Sequence, residues 1–175
     1  TDTVKLYLQD TLDFGNLSVN LGVQKYLVDI EKVDMFSGQQ VGKVNSDSEA
    51  LFSTGAIYQL NNNIELFAGY SENFSAIKDG VLERDASSLE DIEPETAQNI
   101  DLGLRYNDDD ISFSATYYTI DFENRITFIA PGSDTGGIDY GIGTNGSYLN
   151  VGGIESDGFE LSINYRLNEQ WNVYS

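Results

Sequence analysis

From Phe159 to Leu167 the chain alternates without interruption. Phe159, Leu161, Ile163, Tyr165 and Leu167 fall at every second position, with Glu160, Ser162, Asn164 and Arg166 between them. Successive side chains of a strand point to opposite faces, so this stretch has one apolar and one polar face. Two kinds of protein use such a ribbon. In a soluble sandwich the apolar face packs into a core. In a membrane barrel it faces lipid and the polar face lines the lumen.

The same alternation recurs along the chain. Val4, Leu6 and Leu8 open a first strand that reaches Leu12, and Phe14-Gly15-Asn16 turns it. Leu17, Val19, Leu21 and Val23 begin a second, read as far as Phe36 although Asp29 to Asp34 blur the pattern. Residues 37–49 are polar and read as a loop. Phe52 to Leu60 and Ile64 to Tyr70 form the third and fourth strands around the turn Asn61-Asn62-Asn63, since Asn tolerates left-handed backbone. Residues 78–95 make a second long loop with Pro94 near its end. Ile100 to Tyr106 and Ile111 to Tyr117 are the fifth and sixth strands, joined through Asn107 to Asp110, and the sixth is read as running on to Ile129. The Gly-rich residues 131–147 are a third long loop. The seventh strand is the stretch from Tyr148 to Leu167, and after Asn168-Glu169-Gln170 an eighth begins at Trp171.

Short and long connections alternate without exception. Short turns sit near residues 15, 62, 108 and 169, and long loops occupy 37–49, 78–95 and 131–147. Outer-membrane barrels sort their connections this way, with short periplasmic turns and longer extracellular loops. Phe14, Tyr58, Tyr106, Tyr165 and Trp171 lie near the short turns, where an interfacial belt of aromatics belongs.

Composition narrows the function. The chain has 175 residues with no Cys and no His. Disulfides, Cys-ligated metals and all His-based catalysis are thereby removed. Lys and Arg number 9 against 29 Asp and Glu, a formal charge of −20, which argues against nucleic acid as a partner. No run of about 18 apolar residues offers a membrane helix, and the start at Thr1-Asp2-Thr3-Val4 has no leader character, as in a mature chain or a fragment. No nucleophile elbow or phosphate loop is visible. The chain is read as not an enzyme, with no cofactor and no metal site. The Asp-rich turns at 108–110 and in 131–147 suit calcium only in a soluble module, and read more simply as solvated turns.

Three segments resemble TonB-dependent outer-membrane receptors. The first is Leu66-Phe67-Ala68-Gly69-Tyr70-Ser71-Glu72-Asn73-Phe74. The second is Pro94-Glu95-Thr96 followed by Asn99 to Tyr106, continued by Tyr117-Tyr118-Thr119-Ile120-Asp121-Phe122-Glu123-Asn124-Arg125-Ile126. The third is Asn150-Val151-Gly152-Gly153 with Gly158-Phe159-Glu160. The likeness covers about residues 64–175, and residues 1–60 fit as upstream hairpins. It implies an all-β antiparallel meander of long hairpins, part of a transmembrane barrel. The chain would supply about 8 strands of a wall of about 22. It lacks the plug and the TonB-contacting segment, and reads as a section of the barrel's later half.

The resemblance further implies a Gram-negative outer-membrane receptor taking up a scarce nutrient, a ferric siderophore first, with the TonB system acting through a plug and with outer-membrane lipid around the wall. Arg84, Arg125 and Tyr140 are candidate ligand-binding residues, since guanidinium and phenol groups grip anionic or catecholate ligands by charge and stacking. Two other readings stand beside this one: a complete eight-stranded barrel acting as anchor or adhesin, and a soluble β-sandwich binding module. Glu160 and Arg105, on polar faces, are expected to pair with neighbours. Gly152-Gly153 and Gly158 are expected at a bulge or bend.

Overall fold

The computed structural model describes residues 1–77, 92–130, 132 and 147–175. Among these the chain is all strand and turn. The strands are β1 (Asp2–Phe14), β2 (Leu17–Val33), β3 (Gln40–Asn45), β4 (Leu51–Gln59), β5 (Ile64–Ser75), β6 (Glu95–Asn107), β7 (Ile111–Glu123), β8 (Ile126–Ile129), β9 (Ser147–Asn150), β10 (Ile154–Arg166) and β11 (Asn172–Tyr174). One sheet follows the path β1-β2-β4-β5-β6-β7-β10-β11, with every pair antiparallel. β3 folds back on the far end of β2, and β8 and β9 form a separate two-stranded ribbon.

Three of the four short turns share one device. Asn61, Asp108 and Asn168 each place a side-chain oxygen on the backbone amides two and three residues ahead. Asn61 Oδ1 takes Asn63 N and Ile64 N, both at 2.9 Å, and Asp108 Oδ1 takes Asp110 N and Ile111 N at 2.9 and 2.7 Å. Asn168 Oδ1 takes Gln170 N and Trp171 N at 2.9 and 3.0 Å. A short polar side chain thus satisfies the amides a tight turn strips from the ladder.

Residues directly opposite across a ladder share a face. Tracing the registers puts the apolar sets of all the long strands on the same side of the sheet. That side faces outward: Leu8 is 72% exposed, Phe159 78% and Leu161 70%. No second layer covers it, so the two faces of a sandwich core are absent from the described residues. The sheet is also open, since β1 and β11 end the strand order without pairing to each other. A closed eight-stranded barrel is therefore not what these strands form.

The apolar band runs obliquely. One register row joins Asp10, Leu21, Thr54, Tyr70, Ile100, Thr119 and Asp157 across successive strands. In β1 the band opens at Val4, six positions to the loop side of that row, and closes at Phe14, four to the turn side. Along β10 it opens at Phe159, two positions to the turn side, and closes at Leu167, ten to the turn side and one residue past the strand. The band shifts by about seven residues over six ladders. With a rise of about 3.4 Å per residue and about 4.8 Å between strands, that is a slant of about 40°. Barrel strands lie at about 35–45° to the membrane normal, so a level lipid zone would cross them at this angle. Phe14, Tyr58, Tyr106 and Tyr165 all lie on the apolar face at its turn-end limit.

The polar face carries Lys5, Gln9, Asn20, Gln24, Ser71, Asn99, Asp101, Ser114, Glu160 and Ser162. Arg105 sits there with its guanidinium 4.5 Å above the Phe67 ring and 4.0 Å from Glu65 Oε2, the pairing expected of it. Phe67 lies across Gly103, where a Cβ would overlap both its ring and the Ala115 carbonyl. The only well-shielded apolar cluster among the described residues lies at the loop end, where Val28, Ile30, Ile77, Ile92 and Ile126 meet.

Four expectations are corrected. The loop at 37–49 contains a strand, β3, paired with β2 from Asp29 to Val33, and β2 stops at Val33 short of Phe36. The sixth strand does not run to Ile129: β7 ends at Glu123, because Asn124 adopts φ +55° and turns the chain out of the sheet. The stretch from Tyr148 to Leu167 is two strands, broken at residues 151–153 where a bend was expected. No bulge forms at Gly158, where the β7–β10 register continues unbroken and the glycine leaves room for the Tyr118 ring instead.

Candidate functional site

Parts of the second and third resembling segments converge at the loop end of the sheet. Pro94-Glu95-Thr96 begins β6, Asn124-Arg125-Ile126 joins β7 to β8, and Asn150 to Gly153 joins β9 to β10. Asn150 is at the centre. Its Oδ1 accepts Glu93 N at 2.9 Å, while its Nδ2 donates to Glu93 O at 2.9 Å and to Asn124 O at 2.7 Å. Beside it, Glu95 Oε1 accepts Ile126 N at 2.8 Å. Backbone bonds from Arg125 N to Gly152 O at 3.0 Å and from Val151 N to Arg125 O at 2.9 Å join the two connections.

Gly152 and Gly153 are required here for separate reasons. Gly152 has φ +109°, a conformation L side chains rarely adopt, and a Cβ at Gly153 would come within 2.6 Å of the Phe122 carbonyl.

Arg125 lies in this junction. Its Nε is 3.4 Å from Glu95 Oε1, an ion-pair contact without hydrogen-bond alignment, and its guanidinium lies 5.7 Å from the Phe122 ring centre. The side chain is 38% exposed against 15% for Glu95, so the outer part of the guanidinium reaches solvent at the base of two long connections. Arg84 and Tyr140 lie outside the described residues, and so do most of the expected loops 78–95 and 131–147. Of the three candidates, Arg125 is the one the described residues place, and it lies in this junction.

The loop end is acidic elsewhere. A cleft of about 400 Å³ is lined by Asp47, Glu49, Glu72, Glu93 and Glu123 around Phe74. Glu72 and Glu123 occupy outward register positions, so this cleft opens on the outer side of the wall just above the apolar band. Its charge suits no anion. Among the described residues no three acidic side chains gather closely enough to hold a metal ion. The β2–β3 hairpin stands beyond it, its tip set by Asp34 Oδ1 on Phe36 N and Ser37 N, both at 2.8 Å. Those amides hold the Asp34 carboxyl below its ordinary value, Ser37 contributing most. Near the tip, the Asp29 carboxylate, with Glu31 adding to it, pushes the Lys43 ammonium above its ordinary value.

Comparison with known proteins decides the family. A family model described as TonB dependent receptor-like, beta-barrel matches residues 1–175. The chain belongs to this family. It is a family of receptors and not of enzymes. Among solved structures the chain is similar to the pyoverdine outer membrane receptor FpvA from Pseudomonas aeruginosa PAO1, with a TM-score of 0.70, 22% identity, and coverage of 98% of this chain and 23% of that one. It is similar to the alcaligin outer membrane receptor FauA from Bordetella pertussis, with a TM-score of 0.68, 20% identity, and coverage of 97% and 28%. It is likewise similar to the copper transporter OprC, with a TM-score of 0.72, 15% identity, and coverage of 97% and 27%. The chain thus spans about a quarter of each of these TonB-dependent receptors, and the likeness extends to the strand meander.

Proposed function

We propose that this chain is a section of the wall of an outer-membrane receptor that takes up a scarce nutrient, a ferric siderophore in the first instance. The observation that carries the reading is the oblique apolar band, whose slant matches strands tilted in a bilayer. Membership of the receptor family supports it, as do similar structures described as a pyoverdine receptor, an alcaligin receptor and a ferric citrate transporter. In this reading the turns near 15, 62, 108 and 169 face the periplasm, and 37–49, 78–95 and 131–147 face outward. The polar face lines a lumen that holds a plug, through which the TonB system acts.

Arg84, Arg125 and Tyr140 are proposed to contact the ligand. For Arg125 the support is its half-exposed guanidinium at the junction, offering charge to an anionic group.

The test is growth of a deletion strain on individual ferric siderophores as sole iron source, with uptake of labelled iron by the complemented strain. Loss of growth on one ferric siderophore, restored by the intact gene and weakened by Arg125→Ala, supports the reading. Normal growth on all of them, with abundance unchanged in low iron, would overturn the siderophore assignment. The likeness to a copper transporter favours copper as the second substrate to try.

A further inference from the structure

The β8–β9 ribbon leaves the wall at two residues with positive φ, Asn124 at +55° and Gly152 at +109°. The backbone bonds between Arg125, Val151 and Gly152 tie these two points to each other, not to the wall. Chain continuity alone would let such a ribbon pivot. Ile126 packs against Val28, Ile30, Ile77 and Ile92, but apolar contact is non-directional and fixes proximity rather than angle. Among the described residues, directional hydrogen bonds at this junction come from two side chains. Glu95, the first residue of wall strand β6, accepts from Ile126 N on the ribbon. Asn150, the last residue of β9, bonds both backbone groups of Glu93 and the carbonyl of Asn124.

We propose that Asn150 and Glu95 are positioning residues that lock the angle of the β8–β9 ribbon on the wall. They thereby hold the bases of two long connections, the one ending at Glu95 and the one carried by the ribbon, as a single unit. The chemistry is specific. Asn150 accepts one bond and donates two, and only a carboxamide offers two donors beside an acceptor. An Asp there keeps the size but loses two donations, and it places a carboxylate against two carbonyl oxygens. Glu95 acts as an acceptor toward Ile126 N, a role Gln can fill. The consequence for ligand capture rests on the receptor reading above; the lock itself does not.

The test uses the full-length receptor in lipid. A nitroxide pair at Thr127→Cys on the ribbon and Gln98→Cys on the wall reports the ribbon angle, and this stretch has no cysteine of its own. The parent and Glu95→Gln give one narrow distance distribution. Asn150→Asp and Glu95→Ala each broaden it about twofold or more, and together broaden it no further than either alone, as residues of one lock do. The heat-modifiable mobility of the barrel stays unchanged in all of them. A parent-like width in Asn150→Asp or Glu95→Ala overturns the proposal. So does broadening in Glu95→Gln, which would move the role to the Arg125 ion pair, and so does loss of heat modification in the same variants. No uptake measurement enters, so failure of the lock and failure of the receptor reading are separate results.

Discussion

Asn150 grips Glu93 on both sides of its peptide, 57 residues away in sequence: the Glu93 amide donates to its Oδ1 and the Glu93 carbonyl accepts from its Nδ2, each at 2.9 Å. It is the bonding of a β-ladder carried out by a side chain, at the point where the ladder itself has ended. The measurements that follow are made on the full-length receptor reconstituted in lipid.

Leu102 lies on the outward face in the band and Gln98 lies outward above it, four residues along the same strand. Leu102→Arg should destabilise the barrel by about 2–4 kcal/mol, the cost of a cation near the bilayer midplane, and Gln98→Arg by about 1 kcal/mol or less. Denaturant unfolding in lipid vesicles measures both. Equal costs would place the lipid zone elsewhere.

Asp10 is the charged residue inside the apolar run of β1. It shares the outward side of β1 with Leu8 and Leu12, opposite Leu21, and among the described residues its carboxylate accepts from its neighbour Thr11 N at 2.9 Å. A carboxylate on the lipid side is costly, though less so than a cation, so Asp10→Leu should stabilise the barrel by about 1 kcal/mol. The same unfolding assay reads it, and a loss of stability would assign Asp10 a partner.

Gly103 and Phe67 make a close fit on the polar face. Gly103→Val must displace the Phe67 ring or the Ala115 carbonyl, and should cost about 1–3 kcal/mol by overpacking. Adding Phe67→Ala should recover part of that loss, as contacting residues couple. Heat-modifiability on electrophoresis, followed across temperature, gives the ranking.

The Asx turns carry a pH signature. The Tyr106 hydroxyl, then the amides of Asp110 and Ile111, hold the Asp108 carboxyl below its ordinary value of 3.8, and the amides at Ser37 and Phe36 do the same for Asp34. A depressed carboxyl contributes stability above its unfolded value and loses it as pH falls through its folded one. Exchange protection at Phe36, Ser37, Asp110 and Ile111 should therefore persist at neutral pH and fall as pH drops below 3.8. Asp108→Ala should remove it at Asp110 and Ile111 at every pH.

Much of the wall was legible because alternation and turn chemistry are local. Leu161 next to Ser162, or Asn61 ahead of Asn63, states its structure within a few residues. The breaks were harder. Phe122, Ile126 and Phe128 keep the same parity through Asn124, so the pattern runs straight across a residue whose backbone leaves the sheet. β3 was hidden because Lys43 and Asn45 pair with charged Glu31 and Asp29 above the apolar band, while on its other face Val44, opposite Ile30, is too little to make an alternating pattern. The junction was legible as separate motifs and not as one place. Arg125 stood out by its charge, but Glu95 lies 30 residues before it and Asn150 had no visible partner. No spacing rule joins groups so far apart. Glu93, which Asn150 holds by its backbone, could not have been found from its side chain at all.

The central claim is that the exposed apolar face meets lipid across tilted strands. The most direct measurement is nitroxide accessibility at each position from Asn99 to Tyr106 on β6 and from Phe159 to Arg166 on β10, with oxygen as the lipid-soluble and a nickel chelate as the water-soluble quencher. The account predicts a period of two on both strands, with Ile100, Leu102, Leu104, Leu161 and Ile163 favouring oxygen. It also predicts that the deepest position on β10 lies further toward the short turns than the deepest position on β6, as counted along the register. Equal access of the nickel chelate to both faces, or maxima that fall in one register row, would contradict it.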